Sequence, residues 1–168
     1  ACEEEQARIR TLEEDRAGVE RLYRGTAATA IHLLGKGEKV AFRRKDREAA
    51  RFLHEAMALL GGELPLSPET AEGVLARGEG ALAALVASGD LVPKNREEEA
   101  LLGGQGHLSG EIAELSRRFT ALTAEIGAAR EAVLIRPILA RSRELKGEEE
   151  ALGRRIARTR ERLEQVRA

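Results

Sequence analysis

Three histidines, one cysteine, a glycine-rich octapeptide and one basic run are the parts of this 168-residue chain whose types could do chemistry. Histidine ligates metals or moves protons, and a metal site on a helix needs its ligands three or four residues apart so that they share a face. His32, His54 and His107 are widely separated, and the carboxylate nearest to one of them, Glu55 beside His54, falls on a different helical face. Cys2 is the single cysteine, which excludes an internal disulfide framework and a thiolate metal cluster. No serine sits in a nucleophile-elbow context, so neither cysteine nor serine has the neighbours that nucleophilic catalysis requires. These residues read as surface or partly buried side chains. The expectation is a chain that is not an enzyme, with no catalytic residue, no metal and no cofactor, and with ligand-binding residues unknown.

The glycine-rich segment GGQGHLSG, residues 103–110, precedes a helix whose free N–H groups could attract an anion. No strand precedes it, and it matches neither GxGxxG nor GxxxxGK[ST], so it reads as an interhelical loop. The basic run RRKDR, residues 43–47, is interrupted by Asp46 and followed by Glu48, and it lacks the aromatic residues on which bases stack. It reads as a solvated helix face, and no nucleic-acid partner is expected. Arg130 and Arg136 are the cations placed to meet an anionic ligand in an apolar gap between helices.

These residues must be positioned by helices. The composition is 42% hydrophobic and 34% charged but only 2% aromatic, the mixture of Ala, Glu, Leu and Arg that long helices and coiled coils carry. The formal net charge of -1 gives no global field toward nucleic acid or an anionic membrane. No apolar run approaches the roughly 18 residues needed to cross a bilayer, and ACEEEQ does not resemble a signal peptide. The absence of an initial Met, together with a helical opening, suggests a segment of a longer protein. The fold class expected is all-α, an elongated antiparallel helical bundle with long N- and C-terminal helices.

The apolar spacing predicts a first helix from Glu3 to Leu34, broken at Gly35-Lys36-Gly37, and a second over residues 38–60 with Phe42, Phe52, Leu53, Met57 and Leu60 inward. Gly61-Gly62 stops it. In LPLSPET, Ser67 is placed to cap a third helix and Pro68 to occupy its first position. That helix should end near Gly89, and its internal Gly73 and Gly78 could admit a neighbouring helix closely. A short charged helix over residues 93–102 follows. The last helix then carries the most regular stripe in the chain, Ile112, Leu115, Phe119, Leu122, Ile126, Ala129 and Val133.

A second stripe follows at Ile138, Ser142, Leu145, Glu149, Leu152, Ile156, Thr159, Leu163 and Val166. Between the two sits Pro137, in AREAVLIRPILAR, a stretch without the Gly, Asn, Asp or Ser of a turn. A kink within one helix is therefore expected, giving a rod from Ser109 to Arg167 about 90 Å long. If residues 3–24 pair antiparallel with residues 145–166, Ile9 faces Thr159, Leu12 Ile156, Arg16 Leu152, Val19 Glu149 and Tyr23 Leu145. Arg16 and Glu149 make weak layers in that seam, which a parallel homodimer of the stalks would repair. The expected organisation is one domain over residues 1–168, with 3–34 and 138–168 stalk-like and 35–137 an upper bundle.

A first helix from Glu3 through Tyr23, a central bundle, and a long last helix ending in RTRERLEQVRA give an architecture that resembles the helical-bundle extracytoplasmic sensor domains of bacterial chemoreceptors and sensor histidine kinases. That resemblance implies a periplasmic or otherwise extracytoplasmic module of an inner-membrane receptor, a homodimer binding a small molecule or a protein. Signal transduction would proceed by sliding, rotation or scissoring of the last helix, with Pro137 dividing a responsive upper bundle from a stalk. The alternative from the residues alone is a structural coiled-coil tip or arm of a larger ATPase or scaffold, its ends continuing as heptads. A lipoprotein anchored through Cys2 is the third reading.

Overall fold

A helix survives an internal glycine when packing around it outweighs the roughly 1 kcal/mol that glycine costs relative to alanine. The computed structural model, which describes residues 2–102 and 107–167, shows this at the first expected break. Helix α1 (Cys2–Arg43) runs straight through Gly35-Lys36-Gly37. A Cβ on Gly37 would stand 2.8 Å from Leu82 Cδ2 and 3.3 Å from Leu53 Cδ1, so this glycine gives room to two leucines of other helices.

The chain turns instead at the basic run. Lys45 takes a left-handed backbone (φ 60°), Asp46 N donates to Ala41 O, and the Asp46 carboxylate accepts from Ala49 N at 3.1 Å. This is a Schellman-type stop followed at once by an N-cap, so RRKDR is mostly turn and not a helix face. Because α1 continues past Gly37, Ala41 is the fully buried residue and Phe42, expected inside, is exposed.

The remaining elements are α2 (Arg47–Leu60), α3 (Pro68–Ala87), α4 (Arg96–Leu102) and α5 (His107–Arg167), with no strand among the described residues. The protein is an all-α helical bundle. Pro68 occupies the first turn of α3 as expected, but the Ser67 side chain makes no cap bond. Gly89 closes α3 with φ 82°. Gly78 is the close-approach glycine, since a Cβ there would lie 2.6 Å from Ala56 Cβ, whereas Gly73 faces only the end of Arg77. Residues 103–106 of the glycine-rich segment lie outside the described residues.

The chain divides into two compact units, Arg10–Glu125 and Ala1–Ile9 with Ile126–Ala168. In the first, Val19, Tyr23, Leu33 and Leu34 of α1 pack with Leu53 and Leu60 of α2, Leu75 and Leu82 of α3, and Ile112 and Leu115 of α5. Val19, Tyr23, Ala27, Ala30, Leu33 and Leu34, all within residues 3–34, belong to this core. Helix α5 passes α1 antiparallel here, with Thr26 Oγ1 bonded to Glu111 Oε1 at 3.4 Å and Arg16 Nη1 to Thr123 Oγ1 at 3.4 Å. The Arg16 guanidinium also stands 5.8 Å from the centre of the Phe119 ring.

In the second unit Glu5 forms an ion pair with Arg136. Pro137 lies inside α5, which continues to Arg167, so a turn at the proline is excluded. The expected pairing of residues 3–24 with residues 145–166 is overturned. Arg16 meets Thr123 and Phe119, not Leu152, and Tyr23 bonds the backbone of residues 60 and 62, not Leu145. The pairing lies roughly four heptads earlier on α5. The reason is layer chemistry: the Ile112 to Val133 stripe is apolar throughout, while the later stripe would bury Ser142, Glu149 and Thr159.

Two alanine substitutions separate the two uses of glycine. Gly80 has nothing within 4 Å of an added Cβ, so Gly80→Ala is expected to raise stability by up to about 1 kcal/mol. Gly78→Ala is expected to lower it despite the same propensity gain, because overpacking costs about 1–3 kcal/mol. Urea unfolding of both variants checks the opposite signs.

Candidate functional site

The segment between α2 and α3, residues 61–67, runs across the bundle surface and is held from two sides. Tyr23 of α1 shares its hydroxyl proton between Leu60 O at 3.1 Å and Gly62 O at 3.0 Å. Burial pushes the Tyr23 pKa up, which keeps it a donor. Ser116 of α5 accepts from Leu66 N at 3.1 Å and donates to Leu66 O at 3.3 Å. One aromatic and one serine thus fix a strap that carries Pro65, which has no backbone N–H of its own, and runs into Pro68 at the start of α3.

On the α5 side of this strap lies a cavity of about 870 Å³. Pro65, Leu66, Pro68, Ala71 and Ile112 give it an aliphatic wall, and Arg117 and Thr120 stand at its polar edge. Its size and lining suit a small apolar molecule with a polar end. A second cavity of about 490 Å³ lies on the α1 side, against Tyr23, Arg24, Gly62 and Phe119. Neither contains a nucleophile beside a base.

Two buried carboxylates are structural caps. Glu79 of α3 accepts from the Ser109 N–H in the first turn of α5, satisfying one of the free donors of a helix start. Glu98 is 6% exposed and accepts from Lys94 N and Lys36 Nζ, while Asn95 Oδ1 accepts from Glu98 N at 2.9 Å. The backbone N–H of Lys94 and the Lys36 ammonium hold the Glu98 pKa below the usual carboxylate range, against the opposing effect of burial. Among the described residues no buried side-chain nitrogen or oxygen lacks a hydrogen-bond partner.

The residues singled out from the sequence are dispersed. His54 Nδ1 stands 3.2 Å from Glu38 Oε2 on α1 rather than near Glu55, His107 pairs with Glu111 on its own helix, and His32 is exposed on α1. No group of three His, Cys, Asp or Glu is gathered as a metal site among the described residues. Cys2 is an exposed free thiol. Arg44 of the basic run bonds Asp90 at 2.5 Å and Ser88 at 3.1 Å, Arg136 pairs with Glu5, and Arg130 is also engaged.

The other unusual surface is on α5. Every described residue from Leu134 onward is exposed, although the apolar stripe continues with Ile138 at 67% exposure, Leu152 at 55% and Val166 at 84%. Four heptads of seam thus stand without a covering helix. No described helix is long and apolar enough to cross a membrane. No known protein family matches the chain, and neither a curated protein nor a solved structure does.

Removing the strap's anchors has a defined cost. Ser116→Ala leaves Leu66 N–H without its bond and is expected to destabilise by about 1–3 kcal/mol, with Tyr23→Phe costing about 1 kcal/mol, both read from chemical unfolding. The Glu98 pKa is lowered in the fold, so its contribution is present above the ordinary carboxylate range and is lost as pH falls through and below it. The difference in melting temperature between the wild type and Glu98→Gln is therefore expected at neutral pH and should vanish in strong acid. A pH series of thermal melts checks this.

Proposed function

We propose that this chain is a non-catalytic interaction module of a coiled-coil arm, as found in scaffolds and the arms of larger ATPases. The observation that carries the reading is the exposed apolar stripe of α5 from Ile138 to Val166, spaced three and four residues apart without a neighbour. Such a stripe is the recognition surface of a coiled coil, and leaving it open to water is unfavourable at about 25 cal/mol per Å² of apolar area. The unit Arg10–Glu125 supplies a packed bundle in which α1 enters and α5 leaves in opposite directions. The buried carboxylates act as caps within that bundle, consistent with a structural role.

A second reading is favoured by the cavity beside Pro65. An apolar ligand there would touch Ile112, Ser116 and Thr120 of α5 directly, and a shift of that helix is how an extracytoplasmic sensor of a transmembrane receptor would report binding. In that reading the protein is a periplasmic, dimeric signalling module with a small molecule as its ligand.

Electron microscopy of the intact polypeptide and its recovery on cell fractionation separate the two. The coiled-coil reading expects rods ending in a knob, recovered without detergent. Recovery only in detergent-extracted membranes, with an apolar ligand raising the melting temperature, would favour the sensor. Globular particles without a rod would overturn the first reading.

A further inference from the structure

Seam positions decide that two helices meet, and the flanking positions decide which two. On α5 one seam position recurs at Ile138, Leu145, Leu152, Thr159 and Val166, and the other at Ser142, Glu149, Ile156 and Leu163. The residues flanking this seam are basic almost throughout: Arg141, Lys146, Arg155, Arg160, Arg162 and Arg167 against the single acid Glu148. All are exposed.

This pattern opposes a parallel pair of copies and gives an antiparallel pair no net attraction. In a parallel pair Arg141 would oppose Lys146, Arg155 would oppose Arg160, and Arg162 would oppose Arg167, while Glu149 would meet Glu149 inside the seam. In an antiparallel pair that stacks Leu145 on Ile156, Glu148 and Arg155 attract, but Arg141 and Arg162 repel. The parallel pair thus meets three like-charge contacts and a core Glu–Glu layer, a buried charge without a counterion, and in the antiparallel pair the attraction is offset by the repulsion.

We infer that the Ile138–Val166 face of α5 is the docking site for one heptad helix with acidic flanks and a Lys or Arg at the seam position facing Glu149. The interface already present supports this chemistry. Where the stripe begins, Arg136 is neutralised by an acid of α1, Glu5. The inference rests on the coiled-coil reading above and specifies its partner.

The test uses the 168-residue chain and two synthetic four-heptad peptides with identical apolar seams and a Lys facing Glu149, one with Glu and one with Lys at the flanking positions. Calorimetry is expected to show the acidic peptide binding one to one, about tenfold or more tighter than the basic one, with affinity falling as salt rises. Leu152→Asp with Ile156→Asp should abolish binding without changing the chain's melting temperature, since both side chains are exposed. Equal binding of the two peptides would overturn the inference. A dimer in sedimentation that the two aspartates dissolve would also overturn it while leaving the coiled-coil reading intact. A monomer that binds neither peptide would remove both.

Discussion

A polar or charged side chain placed in a helix seam loses hydration that an apolar neighbour cannot replace, and α5 carries two consecutive stripes that differ in this respect. From Ile112 to Val133 every layer is apolar, and from Ile138 to Val166 three layers are Ser142, Glu149 and Thr159. Helix α1, Cys2–Arg43, runs along part of α5. It takes the apolar part. Arg16 over Phe119, Thr26 on Glu111 and Glu5 on Arg136 all follow from that choice.

The bundle of residues 10–125 is assembled from small contacts made where no side chain stands in the way. Gly37 of α1 leaves space for Leu82 and Leu53, and Gly78 of α3 leaves space for Ala56. With so few aromatic residues available, close approach of backbones supplies the packing density that large side chains would otherwise give. Polar groups that this approach buries are each matched. Glu79 takes a free N–H at the start of α5, Glu98 holds the backbone at the start of α4, and Tyr23 with Ser116 fixes the strap over the aliphatic cavity.

The helical class, the stop at Gly61, the start at Pro68, the end near Gly89 and the single helix through Pro137 were legible because each rests on local backbone chemistry. Gly35 and Gly37 misled because glycine serves both as a breaker and as a contact point, and only the neighbours Leu53 and Leu82 distinguish the two. Phe42 followed that error to the wrong face. The register between α1 and α5 was not legible for a different reason: an apolar pattern repeating every seven residues stays in phase when shifted by whole heptads, so a stripe carries no address for its partner. The cap at Asn95 and Glu98 was missed in the sequence, although its spacing is a signal that could have found it. The long-range partners of Glu79 and Tyr23 were not, since they come together only in the fold.

The central claim is the position of α1 along α5, and the single native cysteine gives direct access to it. Spin labels at Cys2 paired with Leu139→Cys, and separately with Arg162→Cys, report two distances by pulsed dipolar spectroscopy. Because Glu5 pairs with Arg136, the Cys2–139 distance should be short, and the Cys2–162 distance should be roughly 35 Å, close to the rise of the intervening helix. A short distance to position 162 instead would place α1 on the second stripe and contradict the account.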